Sequence, residues 1–217
     1  INFFDGFRTS HELQKIDVID TDKLKELIDT RALDEFRDRA LNPNKPAIYG
    51  TAQNEDIYFQ NTEVRNQYYD KIPDIVNDYM MEINKITGGD YKPFNYYGNP
   101  EATRVIVAMG SVCETIKETI DYLVNTKNEA VGLLEVHLYR PFSTKYFMKV
   151  LPKTVKKIAV LDRTKEAGSS GEPLYLDVVE TIKSCEAKVN VYGGRYGLSS
   201  KNTTPAMIKG LFDFLDS

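Results

Sequence analysis

The sequence is poor in the residues on which metal and redox centres are built. It has two cysteines, two histidines and no tryptophan among 217 residues. Cys113 and Cys185 lie far apart and form no Cys-x-x-Cys pair, so they predict neither an iron–sulfur cluster nor a zinc knuckle. We expect each cysteine to be a small buried side chain on a helix. Two histidines are too few for a histidine-rich site, so we expect this chain itself to bind no metal.

Long apolar runs and a strong charge of one sign are also missing. The longest apolar stretches, such as 105–109, are too short to span a bilayer, and no basic segment followed by an apolar run marks a signal peptide. Residues 1–90 carry 18 acidic and 11 basic side chains, whereas 91–217 carry 14 and 17. This is not the basic surface of a nucleic-acid-binding protein. We expect a cytoplasmic protein with neither nucleic acid nor membrane as a partner.

The first ninety residues show helical periodicity without alternating strands. Apolar spacing predicts helices over Asp22–Asp29 and Arg31–Leu41, and a long helix over Glu63–Ile86 with a kink at Pro73. Gly50–Gln60 is predicted to be an irregular polar loop. This part of the chain therefore reads as a helical and irregular arm that precedes another domain.

From residue 91 onward, short β-branched strands alternate with helices. The predicted strands are Lys92–Tyr97, Arg104–Met109, Val131–Leu138, Val155–Leu161 and Lys188–Tyr192. The predicted helices are 111–125, Ser143–Leu151, Pro173–Ser184 and Thr204–Leu215. Strands separated by helices pair in parallel, so the alternation predicts an α/β fold. We expect an open, mostly parallel sheet with helices on both faces.

Polar loops follow these strands, and open parallel sheets bind ligands at the carboxyl ends of their strands. The loops supply candidate anion ligands, namely Ser111, Arg140, Arg163, Lys165 and Arg195. Ser111 begins a helix with Glu114 at capping-box spacing, and helix-end amides and guanidinium groups both bind phosphate or carboxylate. An alternative is that these cations pair with Glu166, Glu172 or a neighbouring domain.

Other motifs predict structural roles. Gly193–Gly197 lacks the spacing of a dinucleotide-binding fingerprint, and Gly168–Gly171 lacks the Lys-Ser/Thr ending of a phosphate-binding P-loop. Both glycine groups are expected to permit tight turns. His137 ends an apolar strand and is expected to be a structural histidine. His11 follows Ser10 without a recognisable third partner, so no catalytic residue is predicted.

Six segments in order resemble the pyruvate:ferredoxin (flavodoxin) oxidoreductase family. They are Phe3–Glu12, Gly50–Gln60, Ala108–Thr115, Val136–Phe142, Val160–Glu166 and Gly193–Leu198. The resemblance covers essentially the whole chain. It implies a transketolase C-terminal-like domain over 61–217, preceded over 1–60 by the tail of the thiamine diphosphate (pyrimidine-side) domain.

The resemblance also implies a chemistry and a set of partners. The full enzyme decarboxylates pyruvate on thiamine diphosphate with Mg, passes electrons through [4Fe–4S] clusters to ferredoxin or flavodoxin, and forms acetyl-CoA. Its partners would be other domains of the same polypeptide and a second copy in a homodimer. The chain begins at Ile1 and lacks cysteine clusters and a Gly-Asp-Gly motif, so we expect a piece that is inactive alone.

Within such an enzyme, the resemblance leaves this piece a supporting role. It would pack against the thiamine domains and frame the coenzyme A side of the cavity, with its basic loops facing the phosphates. Apolar side chains along Val64–Ile86 are expected to be exposed where neighbouring domains pack. The alternative is an autonomous module that binds a phosphate-bearing, coenzyme A-like ligand through the same loops.

Overall fold

Five β-strands form one sheet in the computed structural model, which describes residues 6, 9–13, 15–48, 50 and 52–217. The strands are β1 (Phe94–Gly98), β2 (Arg104–Ala108), β3 (Val131–Val136), β4 (Lys157–Asp162) and β5 (Asn190–Arg195). Their spatial order is β1-β3-β2-β4-β5. Strands β2 to β5 run parallel, and β1 pairs antiparallel with β3 at one edge. The predicted open, mostly parallel sheet is confirmed.

Helices precede the sheet and connect its strands. Before the sheet lie α1 (Thr21–Lys25), α2 (Thr30–Asp38), α3 (Glu55–Glu63), α4 (Asn66–Tyr69) and α5 (Ile72–Thr87). Between and after the strands lie α6 (Val112–Lys127), α7 (Thr144–Val150), α8 (Pro173–Ser184) and α9 (Pro205–Asp216). A short 3₁₀ turn occupies Thr9–His11, and Leu198–Ser200 forms a turn with left-handed backbone at Ser199. By its contacts the chain divides into Ile16–Asp90 and a second unit of Ile1–Lys15 with Tyr91–Ser217.

The sheet carries a hydrophobic core on each face because alternate strand residues point in opposite directions. Val105 and Val107 of β2 pack with α7 and α8, whereas Ile106 of the same strand packs with α6 and α9. Phe147 of α7 and Phe212 of α9 are fully buried on opposite faces. The three central strands, β2, β3 and β4, are thus buried on both sides.

The end of β4 is tied to the start of α8. Both carboxylate oxygens of Asp162 accept backbone N–H groups of the first helical turn, from Leu174 at 3.0 Å and from Tyr175 at 3.1 Å. Burial raises the pKa of Asp162, and the two N–H donors oppose that rise. The carboxylate therefore caps α8 and fixes the path of the intervening loop.

The Ile16–Asp90 unit consists of helices and connections without a core of its own. Among its described residues, Pro73 alone is buried. Its exposed large apolar side chains include Phe36, Val64, Tyr68, Ile75 and Tyr79. The expected exposure of apolar residues along Val64–Ile86 is therefore observed.

Two predictions for this unit are wrong. The predicted loop Gly50–Gln60 is partly helical because α3 begins at Glu55, where two acidic residues in the first turn favour a helix N-terminus. The predicted long helix over Glu63–Ile86 is two separate helices, α4 and α5, and Pro73 lies in the first turn of α5 instead of kinking a continuous helix. Proline suits that position because a first-turn N–H needs no intrahelical partner.

Three predictions for the α/β region also need correction. β5 continues to Arg195, so Gly193, Gly194 and Arg195 pair with β4 instead of forming a loop. Ser111 makes no side-chain cap hydrogen bond to α6, so the capping box is wrong. Cys113 is buried as predicted, but Cys185 is exposed at the end of α8, where the chain turns away from the core.

The expected boundary between residues 1–60 and 61–217 separates two domains of the larger enzyme that the resemblance implies. That boundary stays a prediction. No helix among the described residues has the length and apolar character needed to cross a bilayer.

Candidate functional site

The candidate site lies where the path of the chain through the sheet changes direction. From β2 the chain passes through α6 to β3 on one side, whereas from β4 it passes through α8 to β5 on the other. The two helices pack on opposite faces of the sheet. A crevice is expected outside the carboxyl ends of β2 and β4, and open α/β sheets bind ligands at such a point.

A polar cavity of about 240 Å³ occupies this crevice, and we call it the polar chamber. Its lining is rich in hydroxyl, amide and cationic groups, from Ser111, Thr115, Arg163, Ser200, Lys201 and Asn202. Arg163 Nε donates to the Gly197 carbonyl oxygen at 3.2 Å, which holds the arginine against the segment that follows β5. Glu12 also lines the chamber, so its described walls carry two cations and one carboxylate.

An apolar cavity of about 490 Å³ lies between the ends of β4 and β5 and helix α9, and we call it the apolar chamber. Its apolar lining comprises Leu161, Leu198, Met207, Ile208, Leu211 and Phe214. Leu161 and Ile208 belong to the buried core, whereas Leu198, Met207 and Phe214 are about half exposed. The chamber therefore has a rigid floor and a wall of accessible apolar side chains.

One segment borders both chambers. Tyr196, Gly197, Lys201, Asn202 and Thr203 line each of them, so the two cavities are parts of one cleft, which we call the switch-point cleft. Tyr196 anchors the segment because its hydroxyl donates to the Met109 carbonyl oxygen at 3.3 Å.

The same segment contains strained backbone. Ser199 and Ser200 have φ values of 51° and 61°, in the left-handed region that side chains disfavour. Each such residue costs about 1–3 kcal/mol, and strain of this kind concentrates at ligand-binding and catalytic sites. The strain marks the rim of the switch-point cleft as a place where geometry is held at the expense of stability.

Of the five predicted anion ligands, Ser111 and Arg163 come together in the polar chamber. Arg195 lines the apolar chamber, and its guanidinium donates to Glu172 Oε1 at 2.6 Å. Glu172 is buried and also accepts the Glu166 N–H at 2.7 Å. That N–H and then the Arg195 guanidinium lower the pKa of Glu172. Arg195 thus pairs with Glu172, one of the partners that the sequence offered as an alternative to anion binding.

The other two predicted ligands do not line either chamber. Arg140 forms a 2.6 Å ion pair with Asp177 and stacks 4.0 Å from the ring centre of Tyr139. Lys165 lies in the β4–α8 loop, where its charge also lowers the pKa of Glu172. An anion site made jointly by all five residues is therefore not assembled in this structure, and binding by any of them stays a prediction.

Lys201 is the residue that sequence reasoning missed. It borders both chambers, yet it follows β5 by six residues and lies outside the loops considered. The signal that could have found it is the polar run Ser199-Ser200-Lys201-Asn202-Thr203 between a strand and a helix. Such a run between a strand and a helix favours a surface loop with exposed donors.

A second polar cluster surrounds the end of β3. Glu135 lies 3.1 Å from Lys117 Nζ and 3.7 Å from His137 Nε2, and His137 Nδ1 donates to the Lys92 carbonyl oxygen at 3.0 Å. The bond to Glu135, and then the Lys92 carbonyl, raise the pKa of His137 against the effect of burial. Burial also raises the pKa of the nearby Cys113 thiol. His137 is thus hydrogen-bonded at the end of β3, as predicted, and its structural role stays a prediction.

The described residues contain no group of three or more His, Cys, Asp or Glu side chains placed to hold a metal ion. The site offers cations, hydroxyls and apolar surface, which suit binding of an anion or an apolar group.

Two protein-family models match this chain. Residues 102–206 match pyruvate:ferredoxin oxidoreductase core domain II, and residues 1–81 match the thiamine diphosphate-binding family of pyruvate flavodoxin/ferredoxin oxidoreductases. The first match contains the whole polar chamber except Glu12, and its limits lie within the α/β region. The second match covers residues outside the sheet.

Curated relatives resemble the chain along nearly its full length. Pyruvate-flavodoxin oxidoreductase of Enterobacter agglomerans is 55% identical over 215 residues, which are 99% of this chain and 18% of that protein. Pyruvate:ferredoxin oxidoreductase of Moorella thermoacetica gives the same identity and coverage. Pyruvate dehydrogenase [NADP(+)] of Cryptosporidium parvum is 51% identical over 98% of this chain and 11% of its own length. The chain thus spans less than a fifth of these relatives.

Proposed function

This chain belongs to the pyruvate:ferredoxin (flavodoxin) oxidoreductase family, and we propose that it is a supporting, non-catalytic part of a 2-oxo acid oxidoreductase. The parent enzyme oxidatively decarboxylates pyruvate, transfers the acetyl group to coenzyme A, and passes two electrons to ferredoxin or flavodoxin. The observation that carries the proposal is identity of 55% over 99% of the chain to enzymes named for this reaction.

The reactive centres of the parent enzyme lie outside this chain. The family implies thiamine diphosphate, Mg and [4Fe–4S] clusters, but the two cysteines are separated and the described residues offer no grouped metal ligands. The described residues therefore do not fit an iron–sulfur cluster, and we assign no step of decarboxylation or electron transfer to them. Their contribution is packing and the shape of a neighbouring site.

The choice of electron acceptor also lies elsewhere in the polypeptide. The relatives are named for flavodoxin, ferredoxin and NADP(+), yet their identity to this chain stays between 51% and 55%. A segment that determined the acceptor would be expected to diverge with it. This segment instead serves a function that the three enzymes share.

We assign two roles to the chain within that assembly. The exposed apolar residues of Ile16–Asp90 pack against the thiamine domains, and residues 1–60 are the tail of one of these domains. The polar chamber frames the coenzyme A side of the active site, with Arg163 facing its phosphates. The parent enzyme is a cytoplasmic homodimer.

The test uses the full-length enzyme and this chain side by side. The isolated chain should give no pyruvate-dependent reduction of a viologen dye, and turnover by it would reject the non-catalytic assignment. In the full-length enzyme, Arg163→Gln should weaken coenzyme A about tenfold by calorimetry, the effect of one lost charge-assisted hydrogen bond. Lys183→Gln, an exposed lysine at the end of α8, is the matched control and should leave the affinity unchanged.

The two measurements address different parts of the proposal. Unaltered coenzyme A affinity in Arg163→Gln would reject the contact with coenzyme A while leaving the supporting role in place. The pyruvate KM should stay the same in both variants, because neither residue is assigned to the decarboxylation site.

A further inference from the structure

We propose that the switch-point cleft binds an anionic amphiphile, a small molecule with one phosphate or carboxylate head on an apolar body. The head would occupy the polar chamber and the body the apolar chamber. This inference uses the polar chamber that the proposed function assigns to coenzyme A and adds the apolar chamber to it, and its test requires neither coenzyme A binding nor turnover of a 2-oxo acid.

The cationic end of the cleft is built by two residues from different elements. Arg163 follows β4 and is held by its hydrogen bond to the Gly197 carbonyl oxygen. Lys201 follows β5, is exposed, and forms no ion pair within the described part of the chain. A Cβ at residue 197 would lie 3.2 Å from Arg163 Nε, so Gly197 leaves the space in which this arginine lies. These two cations outnumber the single Glu12 carboxylate in the lining, so together with the neighbouring hydroxyl groups they favour an anion and can bond it directionally.

The apolar end has the lining and size to hold a small apolar group. Leu161 and Ile208 form its buried floor, and Met207 and Phe214 form an accessible wall. Met side chains adapt to irregular apolar partners because they are unbranched and polarizable. At about 490 Å³ the chamber lies within the range of about 300–1,000 Å³ typical of small-molecule sites.

The polar and apolar chambers bind two parts of one molecule because they share a border. Lys201, Asn202 and Thr203 line both chambers, so a head bonded at Lys201 places its attached chain at the opening of the apolar chamber. The strained Ser199 and Ser200 precede this border and hold its position. A ligand with only one of the two features would leave half of the cleft unused.

The experiment measures binding of three probes to this chain by calorimetry. Hexyl phosphate carries both features, inorganic phosphate carries only the head, and 1-hexanol carries the body without charge. We expect hexyl phosphate to bind at least tenfold more tightly than either of the other two. Affinity no tighter than that of 1-hexanol, or no tighter than that of phosphate, would overturn the proposal.

Two pairs of variants assign the binding to the cleft. Lys201→Gln should weaken hexyl phosphate by about tenfold without changing 1-hexanol, and the control is Lys183→Gln outside the cleft. Met207→Glu should weaken both hexyl compounds, and its control is Met81→Glu on α5, since each methionine is 50% exposed. Equal loss in a variant and its control would show non-specific attraction and would overturn the assignment.

Discussion

Residues 16–90 and residues 91–217 differ in how their apolar side chains are used. The α/β region buries its apolar residues in two continuous clusters, one on each face of the sheet. In the 16–90 unit, Pro73 is the one buried residue among those described, while aromatic residues such as Phe36 and Tyr68 are exposed. Both regions contain helices with regular caps, so local helix signals do not distinguish them.

The difference indicates where the folding free energy of each region originates. Burial of apolar surface is the main favourable contribution to folding, and helices without it are marginal in water. The α/β region has this contribution within itself. The 16–90 unit must gain it by packing on other protein surface, consistent with relatives in which this chain is less than a fifth of the whole.

The largest effect should separate the two regions by one substitution in each. Phe212→Ala removes a fully buried ring from α9 and should lower the free energy of unfolding by about 3–5 kcal/mol. Phe36→Ala removes a ring that is 67% exposed, and its effect should stay within about 0.5 kcal/mol. Urea denaturation of the 217-residue chain, followed by circular dichroism, measures both values. A comparable loss of unfolding free energy in both variants would show that the Phe36 ring is buried in a hydrophobic core, contrary to this structure.

A smaller difference in stability between the two regions is expected when one ion pair is removed from each. Arg104 donates to the Phe212 carbonyl oxygen at 3.1 Å and to Glu129 at 3.0 Å, and its side chain is only 12% exposed. Arg104→Met should cost about 2 kcal/mol because it removes charge-assisted bonds from a poorly hydrated site. The pair of Arg37 with Asp34 has a separation of 3.6 Å and side chains about 70% exposed, so Arg37→Met should change stability by less than about 0.5 kcal/mol.

The same denaturation experiment compares the two arginine variants directly. Each substitution keeps a long apolar side chain, so the difference reports the lost polar contacts more than lost packing. If Arg104→Met were as mild as Arg37→Met, the attachment of α9 to the start of β2 would contribute little to stability.

The fold was more predictable from sequence in the α/β region than in the 16–90 unit. Buried parallel strands are short apolar runs, and Arg104–Ala108 and Val131–Val136 stand out because their buried positions carry no polar side chain. In the 16–90 unit there is no such constraint. Glu55–Glu63 forms a helix with little amphipathic pattern, so its polar sequence predicted a loop.

The candidate site was predictable in location but not in composition. The carboxyl ends of the strands follow from parallel pairing, which brought Ser111 and Arg163 to the right edge. Which cations face the cleft depends on long-range contacts. Arg195 pairs with Glu172, 23 residues earlier in the chain, and Arg140 pairs with Asp177 across 37 residues. Sequence spacing does not encode these partners, whereas the backbone path that presents Lys201 depends on the left-handed serines.

The smallest effect should be a pH dependence confined to the α/β region, since residues 16–90 contain no histidine. Glu135 and the Lys92 carbonyl raise the pKa of His137 in the folded chain above the ordinary value of 6.5. A raised pKa contributes stability that is fully present below pH 6.5 and is lost as the pH rises through the folded pKa. Glu135 behaves oppositely, because its pKa is lowered by His137 and Lys117, so its contribution is lost as the solution becomes acidic.

The pair should therefore stabilise the fold most between the ordinary pKa values of the two groups, 4.5 for Glu135 and 6.5 for His137. His137→Gln keeps a hydrogen-bonding side chain but removes the titration, so its free energy of unfolding should vary less across pH 6–8 than that of the unaltered chain. Urea denaturation at half-unit pH steps measures the difference. Parallel curves for the two proteins would mean that Glu135 is held by Lys117 alone, and that His137 remains neutral at the end of β3.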